Sequence, residues 1–275
     1  MSGPQAARLP GDRLHLNHGP IDLVIGAEGA GRDAFFHAAA QRFATILEEL
    51  VAELPDLRRP DAPPPSGPTA RRMQAATAPF APEFITPMAA VAGAVAEEVL
   101  SQAAGMPDLQ KAYVNDGGDI AFLLAPGATF TAAMAGGTVT IPADTPWRGI
   151  ATSGQGGRSH SLGIADSVTV IARGAALADA AATMIANRVD LPGHPAVRRV
   201  PARDLAPDSD LGDRRVTTAL GPLTPAEVDR AIAAGRAYAE TLIARGLIGG
   251  VALTLNHRTA LAGAAHDLTK DPAHA

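Results

Sequence analysis

The sequence predicts an α+β fold, a mostly antiparallel sheet with helices packed on it. Three observations carry that prediction. Short alternating apolar runs come in adjacent pairs around turn residues, as hairpins do. Longer segments with three- and four-residue apolar spacing separate those pairs. The succession of strands and helices also recurs once along the 275 residues, which hints at an internal duplication.

The first pair begins at Leu14 and Leu16, which alternate with His15 and Asn17. Asn17-His18-Gly19-Pro20 turns the chain, and Ile21 to Ile25 resumes an extended run, so a hairpin with a longer loop is expected. From Asp33 the period lengthens. Phe36, Ala40, Phe43, Leu47, Leu50 and Leu54 form a helical stripe, widened by Ile46 and Val51, with Asp33 as its cap and Pro55 just beyond its end. Five prolines between Pro60 and Pro68 mark a semi-rigid loop. A second helix is expected from Pro87 to about Ala103, with Thr86 as cap and Pro87 at its first position. Its first half, Met88 to Ala96, is made almost wholly of small residues, so another element can approach it closely.

Ala112 to Val114 and Ile120 to Leu124 read as strands paired around Gly117-Gly118. Phe130 to Met134 and Thr138 to Ile141 read as another hairpin, turned at Gly136-Gly137. Gly149 to Thr152 and Ser167 to Ile171 are strands that bracket a glycine-rich loop, and Ala176 to Asn187 is helical. Arg188 to Arg215 reads as an irregular surface loop, because six Arg and five Asp nearly balance. Thr224-Pro225-Ala226-Glu227 is a capping box that opens a helix running to Arg245, and Gly250 to Leu255 is a strand. One domain of 275 residues is expected, with fraying over its last dozen.

Composition narrows the function. There are no cysteines, which excludes disulfides, thiolate zinc sites and cysteine nucleophiles. A net charge of −5 argues against a nucleic-acid partner. Hydrophobic residues reach 47% with only 4% aromatic, so the core must be built from Ala, Val, Leu and Ile. Met88 to Ala104 is apolar but short, and Glu97 and Glu98 interrupt it, so no membrane span is expected. Met1 to Arg13 lacks the apolar centre of a signal peptide, and the expected location is cytoplasmic.

Three segments carry chemistry. Asp179 and Thr183 lie four residues apart on an expected helix and so share a face. They read either as oxygen ligands of Mg²⁺ or Ca²⁺, or as a helix cap and a hydroxyl bonded back to its own helix. Asn115, Gly117, Gly118 and Asp119 read either as a backbone turn that approaches a ligand or as an ordinary Asp-Gly hairpin. The loop Thr152 to Ser161 contains Ser153, Gly154, Arg158 and His160. Its amides and Arg158 suit a phosphate, and His160 suits a general base, while the plain alternative is a mobile surface loop. No Walker loop, Rossmann fingerprint, nucleophile elbow, His-Glu-x-x-His or EF-hand is present.

Taken together, several of these segments resemble the UPF0280 family, itself related to the ApbE family of FAD:protein FMN transferases. The likeness to UPF0280 runs through Leu16 to Leu23, Pro87 to Ala96, Asn115 to Ile120, Ser153-Gly154 with Gly163 to Asp166, and Ser209 to Gly212. The likeness to ApbE is narrower: Asn115 to Ile120, Thr152-Ser153-Gly154, and Ser167 to Val170 followed by Ala178-Asp179 and Thr183. The resemblance implies two related T-fold-like halves and a Mg²⁺ held by Asp179 and Thr183 beside a flavin pyrophosphate. The chain departs from ApbE in three places. It has Ala92-Gly93 where that family has Lys-Gly, it lacks the Gly-Ala-Phe-Asp segment, and the His-x-x-Asp-Pro-x-Thr-Gly stretch is shortened around His160.

Three functional expectations follow. The first is a Mg²⁺-dependent enzyme that cleaves FAD and transfers FMN to an acceptor protein. The second is a protein that binds a flavin, a pterin or another nucleotide-like ligand without transferring it. The third is a homo-oligomeric scaffold in which the small-residue helix packs within or between subunits.

Overall fold

The computed structural model describes residues 3–106, 108–134, 137–157, 159–264 and 269–270. They divide into two compact units. The first comprises Met1–Phe130, Ile141–Ala151 and Arg173–Asp179, and the second comprises Thr131–Thr140, Thr152–Ala172 and Ala180–Ala275.

The first unit is built from β1 (Gln5–Leu9), β2 (Arg13–His18), β3 (Ile21–Gly29), α1 (Arg32–Leu57), α2 (Pro68–Thr77), α3 (Val91–Leu100), β4 (Leu109–Asp116) and β5 (Asp119–Leu124). Its strands are neighbours in the order β1-β2-β3-β4-β5, and every pairing is antiparallel. The β2–β3 hairpin is tighter than expected. His18 pairs with Ile21, so the loop is only Gly19-Pro20, and Gly19 supplies the positive φ of 58° that such a turn needs. β1 has almost no buried residue, so no alternating pattern announced it.

The stripe of α1 points inward at Phe36, Phe43, Ile46, Leu47 and Leu50, but Val51 is 48% exposed and does not widen it. Gly31, not Asp33, is the N-cap; Asp33 lies in the first turn and pairs with Arg8 at 2.9 Å. Pro55 lies inside the last turn rather than beyond it. The carbonyl it leaves without a donor is that of exposed Val51, which water can satisfy. The proline-rich stretch passes directly into α2, whose first residue is Pro68. Glu53 of α1 accepts the N–H groups of Ser66 (2.8 Å) and Gly67 (2.6 Å) just ahead of it.

The expected second helix is a short 3₁₀ turn, Pro87–Ala90, followed by α3. The Thr86 side chain makes no capping hydrogen bond there. α3 is tied down by Glu98, which is only 5% exposed. Its two oxygens accept from Arg42 of α1 and Arg72 of α2, each at 2.8 Å, and Arg42 also grips Glu49. Burial raises the Glu98 carboxyl pKa, but the Arg72 and Arg42 hydrogen bonds outweigh it and hold the group below its usual value.

The second unit carries most of β6 (Thr129–Met134) and β7 (Gly137–Pro142), the end of β8 (Gly149–Ser153), β9 (Ser167–Ala172) and most of α4 (Ala175–Arg188). There follow β10 (Val197–Pro201), α5 (Ala202–Leu205), β11 (Arg215–Leu220), α6 (Pro225–Ala244), β12 (Ile248–Leu255), β13 (Arg258–Gly263) and β14 (Thr269–Lys270). β9 pairs antiparallel with β12, and β12 with β13, while α6 packs on β12 and β13. β6 and β7 are neighbours as expected, but Gly136 of their turn lies outside the described residues. Arg188 to Arg215 is not wholly irregular, since β10 and β11 form an antiparallel ribbon. The capping box forms as expected, and the Thr224 hydrogen bonds hold the Glu227 carboxyl down at about 2.

The protein is therefore α+β, with antiparallel pairing in its sheets and helices packed on them. The first unit runs β2-β3-α1-α3-β4-β5, interrupted by α2, and later in the chain β8-β9-α4-α6-β12-β13, interrupted by β10, α5 and β11, follows the same strand–strand–helix–helix–strand–strand succession. Among the described residues no helix is long and apolar enough to cross a membrane.

The small residues of α3 have a local cause. A Cβ on Gly93 would lie 2.3 Å from the Ala175 carbonyl oxygen and 2.7 Å from the Ala176 nitrogen, at the start of α4. Alanine would gain about 1 kcal/mol in helix propensity over glycine, but a backbone clash cannot be relieved by a rotamer. Gly93→Ala should therefore lower stability by about 2 kcal/mol net. Urea unfolding measures it, and an unchanged or raised midpoint would show that α3 and α4 are not in this contact.

Candidate functional site

The turn between β4 and β5 is two residues long, so Asp116 and Asp119 stand directly opposite each other as the last pair of the ladder. Opposed residues of an antiparallel pair share a face. Both are buried, at 4% and 8% exposure, in the phase set by Ala112, Val114 and Ala121. Like charges directly across a ladder repel, and burial strengthens that repulsion. The turn itself is well made. Asn115 Oδ1 accepts the Gly118 N–H at 2.8 Å, and Gly117 and Gly118 take φ of 63° and 114°. A Cβ on Gly118 would meet nothing within 4 Å, so that position faces open space.

Asp179 adds a third carboxylate to this region of the first unit. It sits in the second turn of α4, which begins at Ala175, so it is not the cap of that helix. The Gly93 N–H donates to its Oδ2 at 3.2 Å, which the close approach of α3 makes possible. Burial pushes the Asp179 carboxyl well above its usual range, and the nearby Asp119 and Asp116 push it further. The N–H groups of Gly93 and Ala92 oppose the rise without overcoming it. Asp179 is thus a buried carboxyl beside backbone N–H groups, in the field of two other carboxyls.

Thr183 follows one turn later on α4 and belongs to the second unit. Its hydroxyl donates to Ser153 Oγ at 3.4 Å, at the end of β8. Gly154 comes next with φ of 135°, and a Cβ there would lie 2.7 Å from the Asp166 carbonyl oxygen, so the loop requires glycine. The following N–H groups are engaged inside the loop. Gln155 donates to Ala165, Gly156 to Asp166 and Gly157 to Gly154, at 2.8, 3.1 and 3.1 Å. Arg158 lies outside the described residues. His160 is exposed. Asp166 accepts the Asn256 N–H at 2.6 Å, so its role is to hold the β12–β13 turn.

The candidate residues thus fall into two sets. Asn115, Gly117, Gly118, Asp119 and Asp179 lie in the first unit, with Asp119 close enough to shift Asp179. Ser153, Gly154, His160 and Thr183 lie in the second, with Ser153 and Thr183 in contact. Asp116 and the N–H groups of Ala92 and Gly93 belong with the first set, and sequence reasoning did not single them out. For Asp116 a signal existed, because a carboxylate in the inward phase of an alternating strand is out of place. For Ala92 and Gly93 only the run of small residues pointed to a close neighbour.

Carboxyl oxygens such as those of Asp179, in the field of Asp119 and Asp116, are of the kind a hard cation takes. Among the described residues no three His, Cys, Asp or Glu side chains gather as a metal cluster. A cation here would complete its shell from hydroxyl, carbonyl, water or phosphate oxygens, as Mg²⁺ commonly does.

Known proteins extend this picture. A UPF0280 protein from Methanothermobacter thermautotrophicus is 32% identical over 184 residues, covering 64% of this chain and 64% of its own length. A second UPF0280 protein, from Methanopyrus kandleri, is 37% identical over 123 residues, covering 43% of this chain and 48% of its own length. The chain thus aligns to between about half and two thirds of these relatives. The family model described as AbpE bacteria matches residues 6–264, nearly the whole sequence, and the chain belongs to that family.

Proposed function

We propose that this protein binds FAD through a Mg²⁺ ion held by Asp179 and Thr183, cleaves the pyrophosphate, and transfers FMN to a protein hydroxyl. The observation that carries the proposal is the Asp179 carboxylate, held by backbone N–H groups in the field of Asp119 and Asp116. Such an arrangement is costly for folding and becomes favourable when a cation enters it. The family match and the likeness of the Asn115–Ile120 and Ala178–Thr183 segments to ApbE enzymes support a flavin as the ligand.

Bound Mg²⁺ would offset the charge of the pyrophosphate oxygens during phosphoryl transfer. The chain's own residues do the rest. Asp179 and Thr183 would hold the cation, and the open space at Gly118 would admit a ligand to the turn. The acceptor hydroxyl oxygen bonds to the phosphorus of the FMN half, and the bond from that phosphorus to the AMP oxygen breaks. AMP leaves with the bonding electrons. The hydroxyl proton passes to a base, for which exposed His160 is the proposed group.

Incubation of the protein with FAD, with and without Mg²⁺, tests this directly. Mg²⁺-dependent AMP release is expected, reduced by at least about a hundredfold in Asp179→Asn, as for loss of a group that holds an essential charge. Binding without AMP release would support the non-transferring reading, and absence of FAD binding would remove flavin altogether.

The carboxyl also makes a prediction about stability. Because its folded-state pKa is raised, the folded protein holds the proton more tightly than the unfolded chain, so stability falls as pH rises from about 4 through the folded pKa. In Mg²⁺-free buffer the melting temperature of Asp179→Asn should equal or exceed the native value at neutral pH. The advantage of the variant should shrink toward pH 4. A variant that unfolds instead would mark Asp179 as a structural residue.

A further inference from the structure

The first unit contains a cavity of about 680 Å³ that the flavin reading does not use. Small-molecule pockets run to about 300–1,000 Å³. Its lining is largely apolar, with Ala121 and Leu123 on the helix-facing side of β5, Leu100 of α3 and Leu177 of α4. Its charged lining is Arg72, Arg148, Arg173 and Glu97.

These charges do not cancel. Glu97 is engaged internally: it accepts the Ala176 N–H at 2.9 Å at the start of α4 and lies 3.6 Å from Arg72. Arg72 is also bound to Glu98. Arg148 directs its guanidinium to the carbonyls of Ala143, Thr145 and Trp147, which hold its position and leave its charge without a carboxylate partner among the described residues. Arg173 is exposed and stands 5.8 Å from the centre of the Trp147 ring. Among the described residues it too meets no carboxylate. A largely apolar lining thus has two uncompensated guanidiniums at its edge, one braced and one with hydrogen-bond donors to offer.

We propose that this cavity is a binding site for an amphipathic organic anion. Its acyl or aryl body lies on Leu123 and Leu177, the partly exposed apolar side chains of the lining, and its carboxylate is held by Arg173 in the field of Arg148. The site does not involve Asp179 or Thr183, so it stands or falls independently of the flavin reading. Its occupant would be a small carboxylate-bearing metabolite with an apolar body.

Isothermal titration of the full chain with octanoate and with 2-naphthoate tests the proposal, with octylamine as the charge-reversed control. Saturable binding of at least one carboxylate is expected, weakened at least tenfold in Arg173→Ala, with octylamine not bound. Arg173 is exposed, so that variant should fold. Asp179→Asn should bind the carboxylate as the native protein does. Failure of both carboxylates to bind, equal affinity in Arg173→Ala, or equal binding of octylamine would each overturn the proposal.

Discussion

The contact between α3 and α4 at Gly93 is the constraint on which the candidate site depends. With no side chain at that position, the α3 backbone reaches the carbonyl of Ala175, and its N–H meets the carboxylate of Asp179. A residue with a Cβ would separate the helices and withdraw that N–H. Asp179 would then face Asp116 and Asp119 with less to stabilise its charge. Buried Asp179 thus depends on the α3 backbone for its stabilisation while Asp119 and Asp116 raise its pKa. A protein under selection for stability alone would have little reason to keep it.

The rest of the first unit holds that contact in place. Glu98 fixes α3 to α1 and α2 through Arg42 and Arg72, and Glu97 fixes it to the first N–H groups of α4. Adjacent residues on one helix thus clamp it in two directions. Burial raises the Glu97 carboxyl above its ordinary value, against the Ala176 N–H and Arg72, so that group too is tuned by its place at the helix start. The same clamp leaves the apolar face of β5 and the guanidiniums of Arg148 and Arg173 around an open cavity.

The sequence made the regular elements legible wherever one face is buried and the other wet. The β2–β3 and β4–β5 hairpins, α1, α4 and the Thr224 capping box all announce themselves by period or by turn chemistry. β1 did not, because nearly all its residues are exposed and it has no phase to read. α2 did not, because Arg71, Arg72 and Gln74 dilute its buried face of Ala70, Met73 and Ala76. The β10–β11 ribbon was hidden by the same charge balance that suggested a solvated loop. At the site, the spacing of Asp179 and Thr183 was visible, and so was the glycine turn. The burial of Asp116 and Asp119 and the part of Gly93 needed the fold, because no local pattern states which distant backbone will fill a vacant Cβ position.

The proposed function requires the Asp179 carboxylate to seat a cation rather than to serve as a structural group. A carbon-13 NMR titration of labelled aspartate side chains, with the Asp179 signal assigned from Asp179→Asn, measures it most directly. A titration midpoint well above the ordinary aspartate range is expected without metal, with a large fall when Mg²⁺ is added. An ordinary midpoint, or a raised one that Mg²⁺ leaves unmoved, would contradict it.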